Sequence, residues 1–343
     1  MSIKPTGIIG GGRFGLALAK LLSTNNNVLL HSRRQELVDT INHKGDYQGY
    51  TIPRRLSATT DLKNLCEVCD VIYPVTPSEF FCDMIKSATT HLTPRHILIH
   101  GTKGFHVYEN KIESDNIDID QVYTMSQVIL AETDVKRVGA LCGPNLAKEI
   151  LDDLPTATVI ASPFDEVIEI ATQQLSGSKF YVFNSYDIKG AEIAGALKNV
   201  IAIASGIIGG RNLGKNAEAM LITRGLSEII KMASLVGVDY KAFLGTAGVG
   251  DLIATATSPL SRNYTCGVRI AQGEDVEYII ATSSERIEGL RSLKVANALI
   301  KKHKILAPIT SLIYKIIYEG QDVDRSIHYL MKYPVSKDVD FIN

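Results

Sequence analysis

The first half of the chain alternates short apolar runs with amphipathic stretches. The apolar runs have the length and composition of buried strands, and they lie at residues 7–9, 28–30, 71–75, 97–99, 138–141 and 157–160. Stretches with helical spacing lie between them, at 16–22, 35–43 and 78–88. Buried strands separated by helices are typical of a doubly wound, largely parallel sheet. This half of the chain is therefore predicted to be an α/β domain.

The pattern changes close to residue 187. Beyond it, apolar positions recur at the spacing of a helix, and strand signals are nearly absent. The predicted helices cover 188–208, 215–236, 240–245, 262–272 and 286–302. We therefore expect two domains, an α/β domain over 1–187 and a mostly α-helical domain over 188–343.

Length and charge narrow the class of protein. A chain of 343 residues suits two domains of ordinary size, and its 36 basic and 37 acidic residues nearly cancel, so no nucleic-acid partner is indicated. The N-terminus shows no signal-peptide pattern. Residues 190–210 are long enough to span a bilayer, but five glycines, one Glu and one Lys disfavour a membrane span. The expectation is a cytoplasmic protein.

The cysteines and histidines show no ligand pattern. Five cysteines are scattered along the chain, and only Cys66 and Cys69 form a CxxC pair, with no second pair and no histidine at ligand spacing. Metal or redox use of that pair stays an alternative. We expect the cysteines to be core thiols in a reducing compartment, and we expect no metal site.

A glycine-rich turn follows the first predicted strand. Gly10, Gly12 and Gly15 fit the pattern G-x-G-x-x-G, and Arg13 and Phe14 fill its variable positions. The first glycine permits the tight turn, the second lets a pyrophosphate approach backbone N–H groups, and the third lets the helix pack on the strand. Because a strand precedes the motif and a helix follows it, we predict a Rossmann-type dinucleotide site. A plain tight turn is the alternative.

The end of the second predicted strand bears on which dinucleotide is bound. An acidic residue there would bond the ribose 2′-hydroxyl of NAD, whereas arginine accommodates the 2′-phosphate of NADP. The sequence has Arg33 and Arg34 at this place, and its next acidic residue is Glu36. NADPH is therefore favoured over NADH. Two solvated surface arginines are the alternative.

One lysine interrupts the most apolar predicted helix. Lys198 belongs to a face whose other members are small, and these are Ala191, Gly195, Ala202 and Ser205. Such a face suggests a lysine that lines a cavity. Burial lowers the pKa of a lysine toward the range in which it exchanges protons near neutral pH. A lysine that reaches solvent or pairs with Glu192 or Glu218 is the alternative.

Six motifs occur in a fixed order along the chain. They are GGGRFGLALA, TKG at 102–104, GPNLAKE at 143–149, GALKNVIAIASG, LITRGLSE at 221–228 and AGVGDLIATATSPLSRN at 247–263. Together they resemble one enzyme family, the bacterial-type NAD(P)-dependent glycerol-3-phosphate dehydrogenases. The resemblance implies reversible reduction of dihydroxyacetone phosphate to sn-glycerol 3-phosphate for glycerophospholipid synthesis. It also implies a homodimer.

The resemblance implies roles for residues of these motifs. Lys198 would be the catalytic acid/base and a substrate contact, and Lys103 would touch both substrate and cofactor. The other substrate contacts would be Gly143, Asn145, Asp251, Ser261, Arg262 and Asn263. The cofactor contacts would be Ala147, Arg262 and Glu288, together with Gly10, Gly12, Arg13, Phe14, Gly15, Arg33 and Arg34.

The chain departs from the family pattern at a few positions. Arg13 and Phe14 replace a serine and a tyrosine or tryptophan, His31 replaces a frequent tryptophan, and Asn145 replaces a serine or threonine. We expect weaker individual cofactor contacts and an intact catalytic set. A related 2-keto acid reductase of the ketopantoate or opine type, or an inactive dinucleotide sensor, remains the alternative.

Overall fold

The computed structural model of the chain describes residues 4–43, 45–108, 112 and 117–333. Two compact units are present. One consists of the residues up to Lys103 together with Met125–Ile188, and the other consists of Gly104–Thr124 together with the residues from Lys189 onward.

The strands of the described part of the chain are short. In chain order they are β1 Thr6–Ile9, β2 Val28–His31, β3 Asp46–Tyr47, β4 Tyr50–Thr51, β5 Leu56–Thr59, β6 Val71–Pro74, β7 Ile97–His100, β8 His106–Val107, β9 Val122–Tyr123, β10 Arg137–Cys142, β11 Thr156–Ala161 and β12 Phe180–Ser185.

The α-helices are numbered in the same way. They are α1 Arg13–Leu22, α2 Gln35–His43, α3 Leu62–Val68, α4 Ser78–Ala88, α5 Met125–Glu132, α6 Ala147–Leu151, α7 Asp165–Leu175, α8 Ile188–Gly210, α9 Lys215–Ser234, α10 Asp251–Thr257, α11 Arg262–Ala271, α12 Val276–Thr282, α13 Glu288–His303, α14 Pro308–Tyr318 and α15 Val323–Met331.

The first unit contains an eight-stranded sheet. Its strand order is β12-β11-β10-β7-β6-β1-β2-β5. The central strand β1 pairs in parallel with both β2 and β6, and Ile8 lies opposite Leu30 on one side and Tyr73 on the other. Because the chain proceeds from β1 to β2 on one side and returns to β6 on the other, the strand order reverses between β1 and β6. The predicted doubly wound α/β fold is confirmed.

One pairing departs from the parallel pattern. β10 and β11 are antiparallel, whereas β11 and β12 are parallel to each other. The short helix α6 is the only α-helix between β10 and β11. Apolar runs indicate where buried strands lie but not in which direction they run, so this reversal was not predictable from the pattern.

The second unit is built around α8. Nearly every residue of this helix is buried, and 89% of its most apolar window lies inside the protein. By length and composition α8 could cross a membrane, but its burial is that of the core helix of a globular domain. Helix α11 approaches α8 very closely, because a Cβ on Gly267 would lie 2.0 Å from the Ile203 carbonyl oxygen. Glycine at the crossing therefore allows the two backbones to touch.

A buried carboxylate joins two further helices of this unit. Glu228 on α9 is 3% exposed and accepts hydrogen bonds from the backbone N–H groups of Ile309 and Thr310, at 2.7 and 2.9 Å. The Thr310 hydroxyl donates a third hydrogen bond at 2.8 Å. These donors belong to the first turn of α14, so Glu228 caps that helix from a neighbouring one.

The segment Gly104–Thr124 corrects the predicted domain boundary. A single boundary at 187/188 assigned this segment to the first domain, but it belongs to the second unit. Its strands β8 and β9 pair with each other, and Phe105 and Val107 are buried in the core that surrounds α8. Lys302 on α13 also forms an ion pair with Asp118.

Candidate active site

The glycine turn between β1 and α1 forms an open cradle. Gly10 has a φ of +130°, and a Cβ on Gly15 would lie 1.8 Å from the Gly10 carbonyl oxygen. Both positions therefore require glycine. A Cβ on Gly12 would meet nothing within 4 Å, so the space above this residue is empty. That space is where the motif lets a pyrophosphate approach the first N–H groups of α1.

Phe14 and Arg13 occupy the start of α1. The Phe14 ring lies against Gly101, since a Cβ there would be 2.8 Å from the ring carbon Cε1. Arg13 is exposed. Phe14 therefore packs the start of the helix onto the segment that follows β7.

The residues after β2 bring positive charge to the cradle. The Arg34 guanidinium donates a hydrogen bond to the Gly11 carbonyl oxygen, and Arg33 is exposed. Burial lowers the pKa of His31, and the nearby Arg33 adds a smaller effect in the same direction. On the β2 side of the cradle, the positive charge at neutral pH therefore comes from the two arginines and not from His31.

Three loops at the carboxyl ends of β1, β6 and β7 are bonded together. The N–H of Val75 donates to the Ile9 carbonyl oxygen at 2.9 Å, and the N–H of Gly101 donates to that of Pro74 at 3.0 Å. The Thr102 hydroxyl donates to the Thr76 carbonyl oxygen at 2.6 Å. The edge of the sheet that carries the cradle is therefore cross-linked.

Lys103 and Asn145 meet at the same edge of the sheet. The Lys103 amine donates to the Gly143 carbonyl oxygen at 2.8 Å, and Asn145 Nδ2 contacts that oxygen at 3.1 Å. Asn145 Nδ2 also donates to the Thr158 hydroxyl at 3.0 Å. The other amide atom, Asn145 Oδ1, is buried and has no hydrogen-bond partner among the described residues. Ala147 lies two residues further on and begins α6.

The second unit contains a buried ion pair centred on Lys198. The Lys198 amine donates to the Asp251 carboxylate and to the Thr255 hydroxyl. The side chains of Lys198 and Asp251 are 5% and 1% exposed. Asp251 and Thr255 are one turn apart on α10, so a single helix face supplies both partners. The alternative of a pair with Glu192 or Glu218 is wrong for Glu218, which pairs with Lys215.

A π-helical turn places Asp251. Residues Thr246–Gly250 form this turn directly before α10. A Cβ on Gly248 would lie 2.2 Å from the Phe243 carbonyl oxygen, so only glycine fits. π-Helical turns are rare and occur frequently at functional sites.

The small residues near Lys198 serve helix packing. Ser205, at the end of the predicted face, donates to the Ala256 carbonyl oxygen at 2.7 Å. The same side of α8 therefore bonds α10 at both Lys198 and Ser205. The expectation that this face lines a cavity was wrong at Ser205, because small side chains also let a second helix come close.

Asn263 connects two of the motifs with the start of α13. Its Nδ2 donates to Asn199 Oδ1 at 2.8 Å, and its Oδ1 accepts the N–H of Gly289 at 2.9 Å. One buried amide thus holds together three segments, which are Asn199 beside Lys198, the SRN motif (residues 261–263) and the start of α13. Glu288, the first residue of α13, stands beside this connection.

The other residues of the SRN motif have local roles as well. The Ser261 hydroxyl caps α11 by accepting the N–H of Tyr264 at 3.3 Å. Arg262 is half-exposed and pairs with Glu285 at 2.6 Å. Ser261 therefore acts as a helix cap, and the guanidinium of Arg262 lies at the surface.

The structure gathers the predicted residues into one group in each unit. The group in the first unit lies at the carboxyl edge of the sheet and consists of the glycine turn, Arg33, Arg34, Lys103, Gly143, Asn145 and Ala147. The group in the second unit lies on four helices and consists of Lys198 on α8, Asp251 on α10, Ser261, Arg262 and Asn263 at the start of α11, and Glu288 on α13. Sequence reasoning missed Thr255 and Asn199. The spacing of four between Asp251 and Thr255 was the available signal for the first of them.

Comparison with known proteins identifies the family. Residues 5–168 match the N-terminal domain, and residues 187–328 the C-terminal domain, of NAD-dependent glycerol-3-phosphate dehydrogenase. A relative named glycerol-3-phosphate dehydrogenase [NAD(P)+], from Saccharophagus degradans, is 34% identical over 338 residues, which cover 97% of this chain and 91% of the relative. The chain belongs to the NAD(P)-dependent glycerol-3-phosphate dehydrogenase family.

Solved structures of the family agree with this fold. The glycerol-3-phosphate dehydrogenase of Coxiella burnetii matches with a TM-score of 0.87 and 31% identity, covering 96% of this chain and 99% of that one. A ketopantoate reductase from Ralstonia eutropha covers 94% of this chain and 99% of its own, with a TM-score of 0.61 and 15% identity. The likeness to the ketopantoate reductase shows a shared fold alone. The resemblance to glycerol-3-phosphate dehydrogenases is therefore confirmed, and the 2-keto acid reductase alternative is not supported.

Proposed function

We propose that the protein reduces dihydroxyacetone phosphate reversibly to sn-glycerol 3-phosphate with NADPH or NADH. The product would supply glycerophospholipid synthesis. The observation that carries the proposal is the buried Lys198 amine held by Asp251 and Thr255, within a chain whose family shares this reaction. The cytoplasmic location and the homodimer stay predictions.

The Lys198 amine is suited to move a proton. When bound at the glycine turn, the nicotinamide cofactor would supply a hydride for C2 of the ketone. The π bond of the carbonyl opens as the C–H bond forms, and its oxygen takes a proton from the Lys198 ammonium group. In the oxidation direction the neutral amine takes that proton back. Asp251 and Thr255 hold the amine in one orientation, which a flexible lysine would otherwise lose.

Lys103 and Asn145 fit a role at the substrate. Lys103 carries a positive charge that would stabilise the developing alkoxide. Asn145 Oδ1 is a hydrogen-bond acceptor with no partner among the described residues, and a substrate hydroxyl could donate a hydrogen bond to it. Asn145 can therefore replace the serine or threonine of other members through its amide oxygen.

Arg262 is suited to hold the substrate phosphate. Its guanidinium offers a forked set of donors, and its present partner Glu285 is a partly exposed carboxylate that a phosphate dianion can replace. Ser261 adds the start of α11 beside it. Binding energy from the phosphate would position the three-carbon unit, which has few other groups to bind.

The first unit fits the dinucleotide. The empty space above Gly12 suits a pyrophosphate, and the N-terminus of α1 supplies N–H donors and a partial positive charge. Arg33 and Arg34 suit the 2′-phosphate, so NADPH is the proposed preference.

A direct assay tests the proposed function. Purified protein should oxidise NADPH when dihydroxyacetone phosphate is added, and it should not do so with 2-keto acids. Turnover of 2-keto acids alone would instead support the reductase alternative. NADPH binding without turnover of either substrate would support the inactive sensor.

Lys198→Ala should reduce the rate of dihydroxyacetone phosphate reduction by at least about a hundredfold, because it removes the general acid. The Kd for NADPH should stay close to that of the parent protein. Steady-state rates and calorimetric titration measure the two quantities. Lys189→Ala is the matched control, since Lys189 is the other lysine of α8 and bonds the Val236 carbonyl oxygen. An unchanged rate in Lys198→Ala would refute the assignment.

Arg33→Ala should raise the Kd for NADPH about tenfold or more and leave that for NADH unchanged, because only NADPH carries the 2′-phosphate. Fluorescence titration with each cofactor measures this. Arg54→Ala removes another exposed arginine of the same unit and should change neither value. Equal weakening of both cofactors by Arg33→Ala would contradict the role.

A further inference from the structure

We propose that the hydroxyl of Thr76 is a hydrogen-bonding partner for the nicotinamide-side half of the bound dinucleotide. The inference rests on the dinucleotide binding expected of this family, and it concerns a residue outside the motifs that identify the family. The partner atom would be a hydroxyl or phosphate oxygen of the nicotinamide mononucleotide half.

The first observation is a hydroxyl without a partner. Thr76 Oγ1 is buried and makes no hydrogen bond within the described part of the chain, although Thr76 as a whole is half-buried. A buried hydroxyl that lacks a partner costs free energy in the folded protein. Rotation about its Cα–Cβ bond can turn the hydroxyl toward a ligand, because no hydrogen bond holds it in place.

The second observation is the position of Thr76 in the sheet. It lies two residues after β6, and the strand order reverses between β6 and β1. In doubly wound sheets the ligand binds in the crevice at the carboxyl ends of the strands where the order reverses. The other wall of this crevice is the glycine turn, and a Cβ on Gly10 would lie 3.0 Å from the Val75 carbonyl oxygen. Thr76 therefore follows a residue that contacts the cradle.

The order of the strands decides which half of the dinucleotide lies near Thr76. β2 lies on one side of β1 and carries Arg33 and Arg34 at its end, which assigns the adenosine half to that side. β6 lies on the other side of β1. The half that Thr76 can reach is thus the nicotinamide half, on the side that also leads to Lys103 through β7.

Thr76 is also held firmly by its backbone. Its carbonyl oxygen accepts the Thr102 hydroxyl at 2.6 Å, one residue before Lys103. A ligand bonded to the Thr76 hydroxyl would therefore be fixed relative to the segment that carries Lys103. Such a contact would orient the nicotinamide half with little loss of backbone entropy.

Thr76→Val tests the proposal, because valine has nearly the shape of threonine and lacks the hydroxyl. The Kd for NADPH, measured by calorimetric titration, should rise about tenfold, as expected for one lost hydrogen bond. The Kd for 2′,5′-ADP, which contains only the adenosine half, should not change. The melting temperature of the ligand-free protein should stay the same or rise, because the unpartnered hydroxyl is gone.

Thr76→Ser is the control, since it keeps the hydroxyl and should bind NADPH within about twofold of the parent protein. An unchanged Kd for NADPH in Thr76→Val would overturn the proposal. Equal weakening of NADPH and 2′,5′-ADP, or equal weakening by serine and valine, would also overturn it, because a distorted loop would then be the cause. Failure of the parent protein to bind NADPH would instead refute the proposed cofactor.

Discussion

Lys198 and Asp251 form an ion pair that is almost fully removed from water. Desolvation of two charges costs several kcal/mol for each ion, and mutual attraction repays this cost only when the geometry is good. A well-packed apolar pair would often stabilise such a site as much or more. The pair is therefore better explained by the chemistry proposed for its amine than by a contribution to folding.

Lys198→Met should destabilise the protein by about 3 kcal/mol, because it leaves the Asp251 carboxylate buried without its partner. The double change Lys198→Met with Asp251→Asn should recover part of that loss, since the remaining amide is neutral. Urea unfolding measures the free energies. If the double variant is as unstable as the sum of the two single variants, the two side chains are not coupled.

The residues of this pair were not equally predictable. The position of Lys198 on a buried helix follows from the apolar pattern around it, but its partner lies 53 residues away on another helix, and local spacing cannot locate such a contact. The family resemblance supplied Asp251 but not Thr255. The cysteines were predicted correctly as core thiols, because all five are buried and none forms a disulfide. Burial raises the pKa of Cys66 to about 11 and of Cys266 to about 12.

At the scale of an element, the turn between β1 and α1 makes different demands on its glycines. Gly12→Ala should leave stability nearly unchanged, since its Cβ meets nothing, and should raise the Kd for NADPH at least about tenfold by filling the space for the pyrophosphate. Gly15→Ala should destabilise the fold, since its Cβ would overlap the Gly10 carbonyl oxygen. Thermal melting and NADPH titration of both variants check this. Strong binding by Gly12→Ala would contradict the position assigned to the pyrophosphate.

The strands and helices that could be predicted from the sequence are those with a clear pattern of apolar residues. β1, β2, β6, β7, β10 and β11 lie in six buried apolar runs, and α8 lies in a nearly continuous one. The sequence analysis did not predict β12, which lies at the edge of the sheet with Tyr181 and Phe183 exposed. The direction of β11 was missed because direction depends on how a connection packs.

At the scale of the molecule, Glu228 makes stability depend on pH. Burial raises the pKa of Glu228 to about 7 from its ordinary value of 4.5, although Thr310 and Ile309 donate hydrogen bonds to it and Lys231 lies nearby. The protonated form is thus favoured on folding. Its contribution to stability is complete below pH 4.5 and is lost as pH rises through about 7.

Glu228→Gln removes this titration. The difference in unfolding free energy between the parent protein and this variant should fall as pH rises from 4.5 to about 7 and stay constant above that range. Urea unfolding at a series of pH values measures the difference. A difference that is independent of pH would contradict the raised pKa.

The pair of strands β8 and β9 also affects how the chain folds during synthesis and where the gene can be cut into domain fragments. Phe105, Val107 and Ile117 leave the ribosome long before the helices with which they form a core. These apolar side chains stay exposed while the rest of the sheet is translated. Apolar surface that is exposed in this way makes a nascent chain prone to aggregation. A fragment that begins at residue 189 would lack this pair of strands, so cutting the gene at the apparent boundary would yield an incomplete helical half.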